Sequence, residues 1–156
     1  MLALGASALL PRGIALASNA PEPEGPFVAD PLTGVAMGGY DPVSYFAEVT
    51  PQAGRADYEW VWAGSPWYFA SAANRDVFMR APTTYAPQFG GRCLLSLSRG
   101  YLSDGDPRLY AVFQQRLYLF YSVGNREGFL LSPASALHSA ELNWPKLRAT
   151  LATRIG

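Results

Sequence analysis

The chain carries a single cysteine, Cys93, in the phrase YAPQFGGRC, directly after Gly90, Gly91 and Arg92. One cysteine cannot close an intramolecular disulfide, so it serves as a small buried hydrophobe, a reactive thiol, an intermolecular link or a metal ligand. If a helix starts there, its unpaired backbone amides and the neighbouring Arg92 favour the thiolate and lower its pKa. Against this, free cysteine is among the most buried residue types and packs like a small apolar group.

Other groups capable of chemistry are sparse. His138 is the only histidine and cannot build a metal site alone. Met37 and Met79 would add soft donors for copper or another soft metal, but neither is spaced to chelate with Cys93, so the fold would have to assemble them. Glu59, Asp76, Asp104 and Asp106 fall where strand faces, helix surfaces and turns place solvated or capping carboxylates rather than general acids. The sequence has no GxSxG, no glycine loop of the phosphate-cradling kind, and no base near Ser96 or Ser98. Catalysis in the ordinary sense is not expected.

The bulk numbers narrow the partners. A chain of 156 residues suits one domain with a real core. Twelve basic residues balance twelve acidic ones, which leaves no electrostatic footprint for nucleic acid or for an anionic membrane. Four Trp and nine Tyr supply flat rings whose polar edges seek hydrogen bonds. Met1–Ala17 is an apolar run broken at Pro11-Arg12 and ending in Ala15-Leu16-Ala17, the small-x-small pattern of an export signal, although a basic start is missing. It is shorter than the roughly 20 apolar residues of a span, so no membrane span is expected in the mature chain, whose location would be periplasmic or secreted. Residues 18–34 read as a Pro-rich linker and residues 35–156 as the domain, a monomer or weak dimer.

The elements that must position Cys93 follow from periodicity. Asp41-Pro42 opens a short helix carrying Val43 and Phe46. Tyr58, Trp60 and Trp62 share one face of a strand, and Trp67-Tyr68-Phe69 continues after Gly64-Ser65-Pro66 as its hairpin partner. Ser71 caps a helix over Ala72–Arg80, and Pro82 stops or restarts it. Cys93–Ser98 is too short to classify firmly and leans towards a helix. LYAVF and RLYLFY flank Gln114-Gln115 as a second hairpin, for which Gln-Gln is poor chemistry in a tight turn. The C-terminal part is helical with interruptions at Pro133 and Pro145, and Trp144, Leu147 and Leu151 share one face. The expected fold is α+β, a small antiparallel sheet of two hairpins packed on several short helices, and no internal repeat is read from the sequence.

GGYDPVSYF (Gly38–Phe46), YEWVWAGSPWYFASAANRDVFMRAPTTYAPQFGGRC (Tyr58–Cys93), RLYLFYS and NWPKL together resemble the exported bacterial branch of the YHS domain family. The resemblance implies a small α+β domain of a family linked to metal-transporting ATPases, to multicomponent monooxygenases and to metal binding. It implies thiols at three positions that are here Ser44, Ala70 and Asn74, and Tyr68 and Ser71 stand for two of the three residues in the family name. The cysteine after the glycine pair is retained as Cys93, at a position where some relatives carry selenocysteine. Arg92 replaces the usual aromatic residue and Leu94 a small one.

Three functions follow as expectations. The first is a soft-metal or small-ligand module acting through Cys93 and a pocket of Tyr68, Ser71, Tyr85, Gly90, Gly91 and Arg92. The second is a thiol redox protein using Cys93. The third is a structural or protein-interaction domain docking a partner on an aromatic face of Trp60, Trp62 and Trp67.

Overall fold

In the computed structural model, residues 26–152 are described. The alternating aromatics build β1 (Arg55–Trp62), which reverses at Ala63-Gly64 into β2 (Ser65–Phe69). Their inward rings gather with Phe78 of α2 (Ala72–Arg80), where Trp67 and Phe69 lie 5.1 and 5.2 Å from the Phe78 ring. Ser71 caps α2 as its sequence predicts, its Oγ accepting from the Asn74 backbone N–H at 3.1 Å. Ahead of β1, Ser44–Ala47 forms α1; after α2, Pro82–Tyr85 forms α3 and Leu94–Ser98 forms α4. The second hairpin is β3 (Asp106–Phe113) with β4 (Arg116–Phe120), followed by α5 (Val123–Leu131) and α6 (Pro133–Ala152). The architecture is α+β in one domain, as expected. Its two hairpins do not join, and each is a separate two-stranded sheet.

Contrary to the sequence expectation, the chain repeats itself. Met37, Gly38 and Gly39 take left-handed φ values of 58°, 57° and 83°, and Phe89, Gly90 and Gly91 take 57°, 62° and 81°. Asp41 N–H donates to Gln52 O at 2.9 Å, and Cys93 N–H donates to Ser103 O at 2.9 Å. Gly54 and Gly105 immediately precede β1 and β3 and donate their N–H groups to Gly39 O and Gly91 O; a Cβ would collide with Tyr68 and with Leu119 respectively, so both positions exclude a side chain. Ser71, Asn74, Arg75, Phe78 and Pro82 then correspond to Ser122, Asn125, Arg126, Phe129 and Pro133, with Ser122 capping α5 through the Asn125 N–H. Residues between these anchors differ almost throughout, which hides the repeat in the sequence.

The two repeats stack head to tail. Along β4, Leu117 and Leu119 enter the first repeat's core beside Met37, Trp67 and Phe78, while Tyr118 and Phe120 enter the second core beside Leu94, Leu97 and Phe129. Tyr45 of the first repeat donates its hydroxyl to Pro107 O of the second at 2.8 Å. The second core is closed on its far side by α6, which contributes Leu137, Ala140 and Trp144 and whose Asn143 amide donates to Leu97 O at 2.9 Å. Thus α6 covers the second repeat where hairpin β3-β4 covers the first, as terminal elements of stacked repeats do.

Two boundaries move. The fold already includes the end of the supposed linker: Phe27 is buried against Trp67, and Val28 N–H donates to Gly90 O at 2.8 Å. Helix α6 continues through Pro145. Trp144 and Leu147 on either side pack on the same core, which offsets the roughly 3 kcal/mol a helix-interior proline costs. The tight turn expected to reject Gln-Gln accepts it, with Gln114 at φ 50° and Gln115 at φ 57°, matching Ala63 and Gly64 in the first hairpin. The proposed export signal lies outside the described residues.

Candidate functional site

Cys93 is fully enclosed, with 0% of its surface exposed. It precedes α4, and Asn125 from the first turn of α5 aims its amide at the sulfur, Nδ2 donating to Sγ at 3.2 Å and less closely to Ser96 Oγ at 3.4 Å. Ser96 Oγ in turn lies 2.6 Å from Ser103 Oγ. Burial pushes the thiol pKa up, but hydrogen bonds from the Ser96 hydroxyl, the Tyr121 and Ser96 backbone and the Asn125 amide outweigh it, so the thiol ends below its ordinary value. The expected contribution of Arg92 is not part of this. Its guanidinium donates to Pro26 O at 2.9 Å and Gly90 O at 3.1 Å and lies 3.9 Å from Asp104.

The repeat explains this seat. At the position of Cys93 the first repeat has Asp41, also 0% exposed. Its Oδ1 accepts from Val43 N–H at 2.8 Å, and its Oδ2 accepts from Ala70 N–H at 2.9 Å and from Asn74 Nδ2 at 2.7 Å. Ser44, the counterpart of Ser96, donates to Asp41 O at 2.6 Å and accepts from Gln52 N–H at 2.9 Å. Ala70, Asn74 and Ser44 thus match Tyr121, Asn125 and Ser96. The three positions at which the resemblance implies thiols therefore converge on Asp41, and Cys93 occupies the corresponding seat of the second repeat. Both seats are built from donors and suit an acceptor, whether carboxylate or thiolate.

The other expected site residues do not gather at Cys93. Tyr68 pairs with Glu59 across the first hairpin, Ser71 caps α2, and Tyr85 meets Phe46 edge-on at 5.4 Å. Gly90 and Gly91 shape the turn before Cys93 but offer only backbone. Met37 belongs to the first core and Met79 is exposed, so neither joins Cys93 in the second core. Among the described residues no group of three His, Cys, Asp or Glu is placed to hold a metal ion. His138 is exposed on α6. The expected aromatic face turns inward, since Trp67 is fully buried and Trp60 and Trp62 pack against the first core.

A feature the sequence did not signal lies at the start of β4. Arg116 lines three neighbouring depressions, of about 80, 450 and 370 Å³. The one of about 80 Å³ is walled by Phe27, Trp62 and Pro87; the one of about 450 Å³ is lined by Thr84, Gln114 and Gln115; the one of about 370 Å³ is lined by Phe89, Tyr118, Trp144 and Glu141. Gln88 Oε1 accepts weakly from Arg116 Nη1 at 3.4 Å. Among the described residues, no carboxylate forms an ion pair with this exposed guanidinium. No helix of the described residues is long and apolar enough to cross a membrane. Comparison with protein-family models, with curated proteins and with solved structures finds no match.

Proposed function

We propose that the chain is a non-catalytic, exported, YHS-like module that binds through its surface, with Cys93 kept inside as a structural hydrogen-bond acceptor. The observation that carries this is the equivalence of Cys93 with Asp41: both are sealed, and each is engaged by an Asn amide from the helix that follows its repeat's hairpin. A metal ligand needs companions and a redox thiol needs access, and Cys93 has neither among the described residues. The lowered thiol pKa fits the same role, because donors that hold a carboxylate in one repeat favour a thiolate in the other. The Arg116 depressions offer the surface on which a small ligand would bind.

The test is a copper(I) titration of purified protein in competition with a chromophoric chelator. Wild type and Cys93→Ser should behave alike, with no stoichiometric uptake. One equivalent bound by wild type and lost in Cys93→Ser would restore the soft-metal function and remove this one.

A further inference from the structure

We infer that the outer face of α5 is a self-association surface on which a second copy of this chain docks, the two helices packing antiparallel about a two-fold axis. This pairing uses none of the residues around Arg116 and goes beyond the function proposed above.

Comparison of the repeats isolates the face. Glu127, Leu130 and Leu131 lie four, seven and eight positions after Val123 and share its side of α5, opposite the buried Phe129. Leu131 is 88% exposed, Val123 61% and Leu130 44%, and Tyr121, just ahead of the Ser122 cap, is 65% exposed. At the matching places the first repeat has Ala70, Ala72, Asp76, Met79 and Arg80. Both helices start from a serine cap and bury a phenylalanine, so the fold does not require a large apolar group at these outward positions. An alanine and an arginine serve in α2 where α5 has Val123 and Leu131. Apolar side chains exposed singly are ordinary, but these four are gathered on one face, and the roughly 500 Å² they present reaches the patch size that marks an interaction site.

The pattern selects the occupant. Along the helix the face reads apolar, charged, apolar: Tyr121 and Val123 at one end, the Arg126–Glu127 ion pair at 3.0 Å in the middle, Leu130 and Leu131 at the other end. Turned end for end, this pattern complements itself. Each apolar end meets the opposite apolar end, and each Arg126 faces the other copy's Glu127, as an isologous interface requires. A lipid surface fits less well, because Glu127 stands exposed among the leucines and faces at membrane interfaces favour basic residues instead. The matching helix α2 has Ala72 and Arg80 in place of the strip, so association through this face closes at two copies. The patch falls short of the roughly 800 Å² a side that a stable complex buries, so the pair is weak and reversible.

The experiment is analytical ultracentrifugation of the full chain between roughly 10 μM and 1 mM, the range a small interface calls for. A monomer–dimer equilibrium is expected, with a dissociation constant on the order of 100 μM. Leu131→Arg and Val123→Ala install the first repeat's own residues at exposed positions; each should shift the equilibrium towards monomer, Leu131→Arg by about ten-fold or more. Circular dichroism should show both variants folded as wild type is. Independently, Glu127→Cys should form a disulfide-linked pair on treatment with diamide, since it lies next to the axis, whereas Asp76→Cys at the matching place on α2 should not. The inference is overturned if the chain stays monomeric up to 1 mM, whatever else binds the face, if Leu131→Arg associates as wild type does, or if Glu127→Cys cross-links no faster than Asp76→Cys. Such results would leave the structural role of Cys93 untouched, because copper uptake reads that role separately.

Discussion

Replacing Cys93 by aspartate transfers the first repeat's solution into the second, and its cost separates an acceptor seat from an apolar hole. In Cys93→Ala, the Asn125 amide keeps only the longer contact to Ser96 Oγ at 3.4 Å, and the Tyr121 backbone donor loses its partner. An unsatisfied buried donor costs about 1–3 kcal/mol, and the lost burial of the sulfur adds about 1 kcal/mol, so Ala should destabilise by roughly 3 kcal/mol. Leucine adds overpacking and should cost about as much or more. Aspartate restores an acceptor to the same donors, as Asp41 does at 0% exposure, and should lie within about 1 kcal/mol of wild type near neutral pH. Urea unfolding followed by tryptophan fluorescence reads these differences, with the Ala midpoint falling by roughly 1–2 M and the slope unchanged. Aspartate as costly as alanine, or costlier, would refute the equivalence of the two seats.

Other consequences follow from the same geometry. Because the thiol's folded pKa lies below its ordinary 9.0, its contribution to stability is complete above that value and is lost as pH falls through the folded pKa. The stability gap between wild type and Cys93→Ser should therefore widen from neutral pH towards 9; a gap that narrows instead would mean a thiol held neutral. Tyr45 has the opposite sign: burial first, then the charges of Tyr40, Tyr110, Asp106 and Asp41, raise its pKa well above 10.0, so its contribution is lost above the tyrosine range and the scan should stop short of it. Tyr45→Phe removes the hydroxyl bond to Pro107 O while keeping the ring, and should cost about 1 kcal/mol in the same urea assay; no change would mean the bond does not couple the repeats. Changing Gln114-Gln115 to Asn-Gly supplies residues suited to the left-handed turn and should raise the melting temperature, by about 1 kcal/mol or more in stability, with a fall contradicting the turn assignment. Gly54→Ala and Gly105→Ala each force a Cβ into a neighbouring strand and should both be severely destabilising, readable as loss of soluble folded protein.

Local chemistry was legible wherever one residue dominates it. The Ser71 cap, the limits of α2, both hairpins and the packed face of Trp144, Leu147 and Leu151 were readable because caps and apolar periodicity act over a few residues. The α+β class followed from them. What escaped was long-range. The repeat rests on a few anchors, namely the glycine pairs, the capping serines, Asn74 and Asn125, Phe78 and Phe129, and the prolines at 82 and 133, while the strand positions between them changed from Trp60 and Trp62 to Ala111 and Phe113. Asn125 was legible as a residue and not as a partner of Cys93, because the contact joins the seat before α4 to a helix beyond the second hairpin. Comparing SAANRDVF with SVGNREGF was the available signal, and it identifies both seats at once. The Gln-Gln turn was misjudged on intrinsic preference, which strand pairing on both sides overrides.

The most direct test of the central claim is alkylation of Cys93 by iodoacetamide in the folded protein, followed by intact mass and repeated in denaturing urea. A sealed structural acceptor predicts that the native thiol stays unmodified over hours at mildly alkaline pH, although its thiolate form is favoured, and that it reacts fully once the chain unfolds. Native modification at the rate of the unfolded control would place the sulfur at an accessible reactive site and contradict the account.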